Sequence, residues 1–142
     1  EKIFINQYSR HSNKNIVFLK EENLKKHKID LYKVLNAVDL LITDYSSVYF
    51  DFLLLDRPII FVPVDIEEYR KFRGLLLEPY DFWTPGPKCM EQNDLQKEIL
   101  KSLDNKNYYK KERNDIKNLV HKYQDANSTE RVLQLIDVIM NR

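Results

Sequence analysis

Apolar positions are most tightly ordered between Asp39 and Val62, DLLITDYSSVYFDFLLLDRPIIFV. The pattern predicts a buried strand over Asp39–Thr43, a turn without glycine at Asp44 and Tyr45, a helix opening on Ser46 and Ser47, and a second buried strand over Pro58–Val62. The connection is too long for a hairpin and suits a helical crossover, so the strands should run parallel with both faces of the sheet covered. The helix starts at the carboxyl end of the first strand, the edge at which open α/β sheets bind ligands.

The flanks are read in the same way. Over Glu1–Asn15 neither period prevails, which leaves a helix remnant or a loop; Ile16–Leu19 is a compact apolar run and predicts a strand. Lys20–Lys28 is a charged, solvated connector. Leu31, Val34, Leu35 and Val38 recur at helical spacing behind Asp30, a suitable N-cap. Beyond the central unit, Asp65 and Glu68 form a capping-box pattern for a short helix to about Phe72, and Gly74 suits the left-handed position that ends it. Leu75–Leu77 is a candidate short strand. Glu78–Pro87 reads as an aromatic loop in which Pro85-Gly86-Pro87 sets the direction and bars regular pairing. A helical tail begins near residue 93: Asn93 with Gln96 caps a run through Leu103, Tyr108–Tyr123 forms a second, and Asn127 with Glu130 caps a third through Met140. Val132, Leu135, Ile136 and Ile139 share one face of the last helix. Strands alternating with helices and followed by a helical tail predict a single α/β domain over residues 1–142, a parallel sheet with flanking helices.

Composition narrows the function classes. The 142 residues suffice for one core, and 43% hydrophobic with 32% charged residues is a globular balance. Lys and Arg number 23 against 22 Asp and Glu, a net charge of +1, which gives no basic field for general nucleic-acid binding. A lone cysteine, Cys89, excludes an internal disulfide and fits a reducing compartment. No apolar run approaches the ~20 residues of a membrane span. The first residue is Glu1 and no signal-peptide pattern follows it, so the chain reads as a piece of something longer.

Candidate chemistry gathers at the central turn. A helix amino terminus offers unpaired N–H groups and partial positive charge, and Ser46 and Ser47 add hydroxyls beside them, an arrangement suited to a diphosphate. Ser46 or Asp44 equally serves as a plain helix cap. Asp51, one turn after Ser47, would accept a hydrogen bond from Ser47 or a ligand hydroxyl, or else lie on a solvated face. Arg73 and Lys88 are candidate phosphate-reaching cations, with surface solvation the alternative. Tyr80, Phe82 and Trp83 either stack on a base or close the edge of a core. His11, His27 and His121 have no metal-ligand spacing to one another or to Cys89, so no metal is expected. There is no glycine-rich phosphate loop and no nucleophile elbow.

AVDLLITDYSSVYFDFLLLDRPIIF, Ala37–Phe61, followed by Asp65, Glu68-Tyr69, Arg73-Gly74, Pro85-Gly86-Pro87 and HKYQDANSTERV, His121–Val132, resembles the carboxyl-terminal half of the CDP-glycerol glycerophosphotransferases of teichoic acid and capsule synthesis. The likeness covers about Val34–Ile139. It implies a glycosyltransferase-B fold of two Rossmann-like halves, with this chain most of the nucleotide-binding half and the amino-terminal acceptor half missing. The implied donor is CDP-glycerol or CDP-ribitol. The family's paired serines, its diphosphate contacts, correspond to Ser46 and Ser47, and less directly the site extends to Asp44, Asp51 and Arg73. No cofactor or metal is implied. The family's upstream His-Pro pair is absent, since His11 precedes Ser12, and an essential histidine belongs to the missing half, so no catalytic base is assigned.

The resemblance therefore implies transfer of glycerol phosphate or ribitol phosphate to a hydroxyl of a polyol-phosphate polymer or lipid-linked acceptor, with release of CMP, by an enzyme on the inner face of the bacterial cell membrane. The fragment alone should bind donor weakly and turn over nothing. Two alternatives share the turn: a nucleotide-sugar glycosyltransferase of the same architecture, and a non-catalytic anion-binding module.

Overall fold

The computed structural model describes residues 15–141, so the reading made for Glu1–Asn15, Asn15 apart, lies outside the described residues, as does His11. The chain divides between Val38 and Asp39 into two compact units. In the first, the expected strand at Ile16–Leu19 does not form, and its side chains are exposed. An apolar run becomes a strand only where a neighbouring edge takes its N–H and C=O groups, and no such pairing occurs there among the described residues. The connector at Lys20–Lys28 is solvated as expected but contains a helix, α1 (Glu21–Lys26). Its acidic residues lie in the first turn and its lysines in the last, matching the helix dipole, and Glu21 pairs with Lys25 at 2.6 Å. Asp30 caps α2 (Leu31–Ala37) as predicted, accepting from the Lys33 amide at 2.8 Å.

The second unit is built on β1 (Leu41–Thr43) and β2 (Ile59–Phe61), paired in parallel with Leu41 opposite Ile59 and Thr43 opposite Phe61. Both strands are shorter than predicted, although flanking bonds continue the ladder: Leu41 N–H donates to the Pro58 carbonyl at 3.1 Å and Val62 N–H to the Thr43 carbonyl at 2.8 Å. The crossover helix α3 (Val48–Leu53) packs on β1 and buries Tyr49, Phe52 and Leu53. The three β2 side chains are at most 1% exposed, as a covered parallel strand requires, whereas Ile42 in β1 is 44% exposed, so burial on both faces holds for β2 alone.

After α4 (Ile66–Phe72), Gly74 takes φ +73° and its amide reaches the Tyr69 carbonyl at 3.1 Å, the predicted helix stop. Leu75–Leu77 forms no strand, and the expected loop contains a one-turn helix, α5 (Tyr80–Trp83). The proline-rich stretch does pair, contrary to expectation. Pro87 lacks an N–H but its carbonyl accepts from Phe61 at 2.9 Å; the Cys89 amide donates to the Phe61 carbonyl at 2.8 Å, and Lys88 bridges Phe61 in parallel. Gly86 permits this approach, since a Cβ there would lie 2.1 Å from the Ile59 carbonyl oxygen.

Three helices complete the unit. In α6 (Gln92–Asp104), which packs on β2, the N-cap is Glu91 and no side-chain cap forms, so the Asn93 capping box is not used. The helix α7 (Lys110–Val120) packs on α3 and starts later than predicted because Tyr109 adopts φ 56°, outside helical space. The last, α8 (Ser128–Met140), begins where expected, without a side-chain bond from Asn127. Its apolar face at Val132, Leu135, Ile136 and Ile139 is 47–61% exposed. Among the described residues no helix is long and apolar enough to cross a membrane.

Candidate functional site

The turn between β1 and α3 is ordered by Asp44. Its Oδ1 accepts from the amides of Tyr45 at 2.6 Å and Ser46 at 3.2 Å, so the carboxylate occupies two of the N–H groups that an anion would otherwise meet. Asp44 is thus the turn's internal acceptor. Ser47 is the N-cap residue of α3, yet its side chain makes no capping bond. The Ser46 Oγ lies 3.5 Å from the Val48 amide, at the limit of hydrogen bonding. Both hydroxyls therefore keep donor capacity at the mouth of the turn.

Aromatic side chains hold this turn from the other side. The Tyr45 ring stacks on Tyr69 at a centroid distance of 4.0 Å, and its hydroxyl donates to Asp65 Oδ1 at 2.8 Å. That bond takes the carboxylate expected to cap α4: Asp65 is the N-cap by position but makes no capping bond, which corrects the capping-box reading. Burial foremost, and then the bond to Asp65, push the Tyr45 phenol well above its ordinary value. Tyr80, only 6% exposed, donates through its hydroxyl to the Asp44 carbonyl at 3.0 Å, and burial likewise pushes its phenol up. The segment carrying Tyr80 is tied to α4 through Glu78, whose Oε1 accepts from Arg70 Nε at 3.1 Å while Oε2 accepts from the Tyr80 amide at 2.9 Å.

Beside the turn lies a cleft of about 120 Å³, lined by Asp44, Ser47, Tyr49, Leu77, Tyr80 and Trp83 among others. The structure thus brings Asp44, Ser47, Tyr80 and Trp83 together. Ser46 sits on the same turn outside the cleft lining, and the other candidates lie elsewhere. Asp51 is exposed on α3 and forms no hydrogen bond with Ser47. Arg73 is exposed at the end of α4, and neither it nor Asp51 lines the cleft. Lys88 lines a separate cleft of about 200 Å³ with Phe82, Tyr109 and Glu112. Its ammonium donates to the carbonyls of Thr84 at 2.6 Å and Asp81 at 3.3 Å, closing the end of α5. Burial holds that lysine below its ordinary value, against the opposing charges of Asp81 and Glu112. The aromatic trio is therefore divided: Tyr80 and Trp83 face the serine turn, and Phe82 faces the second cleft.

Tyr45, Asp65 and Tyr69 escape sequence reasoning as parts of the site. Their contacts span about twenty positions and leave no periodic trace. The one available signal is a tyrosine inside a polar turn, where an aromatic ring needs a neighbour to cover it.

Comparison with known proteins identifies the family. A profile of the family described as CDP-Glycerol:Poly(glycerophosphate) glycerophosphotransferase matches residues 3–137. The chain is 38% identical over 112 residues to the teichoic acid glycerol-phosphate primase of Bacillus subtilis (strain 168), which covers 78% of this chain and 28% of the primase. It is 34% identical over 101 residues to the teichoic acid ribitol-phosphate polymerase TarL of Staphylococcus aureus (strain NCTC 8325 / PS 47), covering 71% of this chain and 17% of TarL. The solved wall teichoic acid polymerase TagF matches with a TM-score of 0.65 and 29% identity, over 79% of this chain and 27% of its own. The chain thus spans 17–28% of the length of these relatives. The structural match bears out the α/β, glycosyltransferase-B-type fold expected from the sequence. The chain belongs to the CDP-glycerol:poly(glycerophosphate) glycerophosphotransferase family.

Proposed function

We propose that this chain is the donor-binding part of an enzyme that transfers glycerol phosphate or ribitol phosphate from a CDP-polyol to a hydroxyl of a teichoic-acid-like or capsular acceptor. The acceptor oxygen bonds to the phosphorus that carries the polyol, the bond from that phosphorus to the bridging oxygen breaks, and CMP leaves with that oxygen. The family match over residues 3–137 carries this reading. Both glycerol and ribitol enzymes are among the relatives, so the polyol is a class rather than one compound.

The donor diphosphate is assigned to Ser46 and Ser47. Charge builds on its oxygens as the bond to CMP breaks, and preorganised hydroxyls at a fixed turn stabilise that charge without reorganising. The support is geometric: the Ser47 side chain is not spent on capping, and Tyr80 pins the turn that carries both serines. Asp44 enters the site as the residue that orders the turn; a carboxylate placed directly against phosphate would repel it. Asp51 and Arg73, exposed and without a partner holding them at the cleft, are left as outer contacts for a polyol or phosphate that extends beyond it. Lys88 contributes by closing α5 behind Trp83. The acceptor-binding half, the base that activates the acceptor hydroxyl, and peripheral attachment to the inner membrane face are assigned to the longer protein. Calorimetry of CDP-glycerol binding to the full-length protein and to its Ser46→Ala/Ser47→Ala variant tests the assignment.

A further inference from the structure

The serine turn is held from behind by a side chain that touches none of the groups assigned to the donor. His121 follows α7, and its Nε2 lies 2.8 Å from the main-chain carbonyl oxygen of Phe50 in α3, across 71 positions of sequence. A carbonyl only accepts, so Nε2 carries the proton and donates. The Phe50 amide in turn donates to the Ser47 carbonyl at 3.0 Å. Two successive hydrogen bonds therefore connect the histidine ring to the main chain of Ser47.

The histidine is itself well anchored. Its amide donates to the Lys117 carbonyl at 2.8 Å and closes α7, and its carbonyl accepts from Gln124 Nε2 at 3.3 Å. The amino-terminal part of α7 grips the other end of α3 through Asp56, in the turn after that helix: Lys110 Nζ reaches Asp56 Oδ2 at 3.3 Å, and the buried Arg113 reaches Oδ1 at 3.5 Å. Helix α7 thus clamps α3 at two points, and His121 is the point joined by hydrogen bonds to the serine end.

We propose that His121 is a positioning residue for the donor: by fixing the Phe50 carbonyl it sets where α3, and with it the Ser46 and Ser47 hydroxyls, meets the diphosphate. The inference rests on the assignment of the diphosphate to those serines. A small displacement of the turn lengthens every hydrogen bond made from it, and hydrogen bonds weaken steeply with misplacement.

The test uses the full-length protein with CDP-glycerol as donor, and two replacements that differ in where they put an N–H. The Gln amide nitrogen lies close to the position of Nε2, whereas the Asn amide nitrogen lies near that of Nδ1 and falls short of Phe50. His121→Asn is expected to raise the donor KM by about tenfold with kcat little changed, and His121→Gln to stay within about twofold of the parent. A merely structural role would lower the melting temperature of His121→Asn and leave its donor KM unmoved. Should His121→Asn melt too early for kinetics, Gln124→Ala, which frees the His121 carbonyl together with Asn118 Oδ1, is expected to raise KM about threefold. An unchanged donor KM in the folded variants, beside a raised one in Ser46→Ala/Ser47→Ala, overturns the positioning role alone. An unchanged KM in the serine variant overturns the diphosphate assignment, and the proposal with it.

Discussion

The Tyr80 hydroxyl donates to the main-chain carbonyl of Asp44 at 3.0 Å, across 36 positions of sequence. One short helix in a proline-rich loop is thereby fastened to the turn that bears the two serines. Tyr80 is 6% exposed, so its hydroxyl is sheltered and the Asp44 carbonyl supplies the acceptor it needs.

Tyr80→Phe keeps the ring and removes this donor. It is expected to cost about 0.5 to 1.5 kcal/mol of stability, the net contribution of a typical hydrogen bond. Chemical denaturation measures it. A loss below about 0.3 kcal/mol would mean that the turn is held by packing alone.

Removing both serine hydroxyls should weaken donor binding far more than it weakens the fold. Each charge-assisted bond to a phosphate contributes about 1.5 to 3 kcal/mol, so the Kd of Ser46→Ala/Ser47→Ala for CDP-glycerol is expected to rise at least about a hundredfold. Titration calorimetry on a variant with unchanged melting temperature reads it, and an unchanged Kd removes the serines from the site.

Local features of the chain were legible, and distant contacts were not. Asp30 capping α2, Gly74 stopping α4 and the covered β2 strand each follow from residues within a few positions of one another. The parallel crossover was legible for the same reason, since its length alone excludes a hairpin. Asp65 shows where this fails: its pattern with Glu68 is a valid capping box, but the Tyr45 hydroxyl, twenty positions away, claims the carboxylate. Ile16–Leu19 fails in the same manner, because a strand is defined by a partner edge that its own residues do not specify. At the site, the resemblance singled out Ser46 and Ser47, while the side chains that hold them, Tyr80 and His121, depend on which elements become neighbours.

Of the two glycines, Gly86 is the more restrictive position for substitution. A Cβ would sit 2.1 Å from the Ile59 carbonyl oxygen, a main-chain atom of the central strand that cannot turn aside. Gly86→Ala should therefore cost about 1 to 3 kcal/mol or more by forcing the 87–89 segment off β2. Gly74→Ala meets no atom within 4 Å, and only its φ of +73° opposes the change, so it should cost less. Thermal melts of the pair that fall in the opposite order would contradict this reading of the two glycines.

Alkaline pH should destabilise the fold. Burial raises the phenols of Tyr45, Tyr49 and Tyr80 and the thiol of Cys89, so the native state keeps protons that the unfolded state gives up. With fewer protons bound in the unfolded state, stability is fully present below the unfolded tyrosine value of about 10 and falls as pH climbs above it. Lys88, held low by burial, acts in the opposite sense, but the raised thiol and phenols, Tyr108 among them, outnumber it. Urea midpoints that stay level or rise between about pH 9 and pH 11 would contradict the burial of these phenols.

The identity of the nucleotide released by the full-length enzyme tests the central claim most directly. With CDP-glycerol and a polyol-phosphate acceptor, phosphotransfer at the polyol phosphorus yields CMP in step with polymer growth. Release of CDP instead would place bond cleavage at carbon, and would show that the serine turn serves a glycosyltransferase rather than a polyol-phosphate transferase.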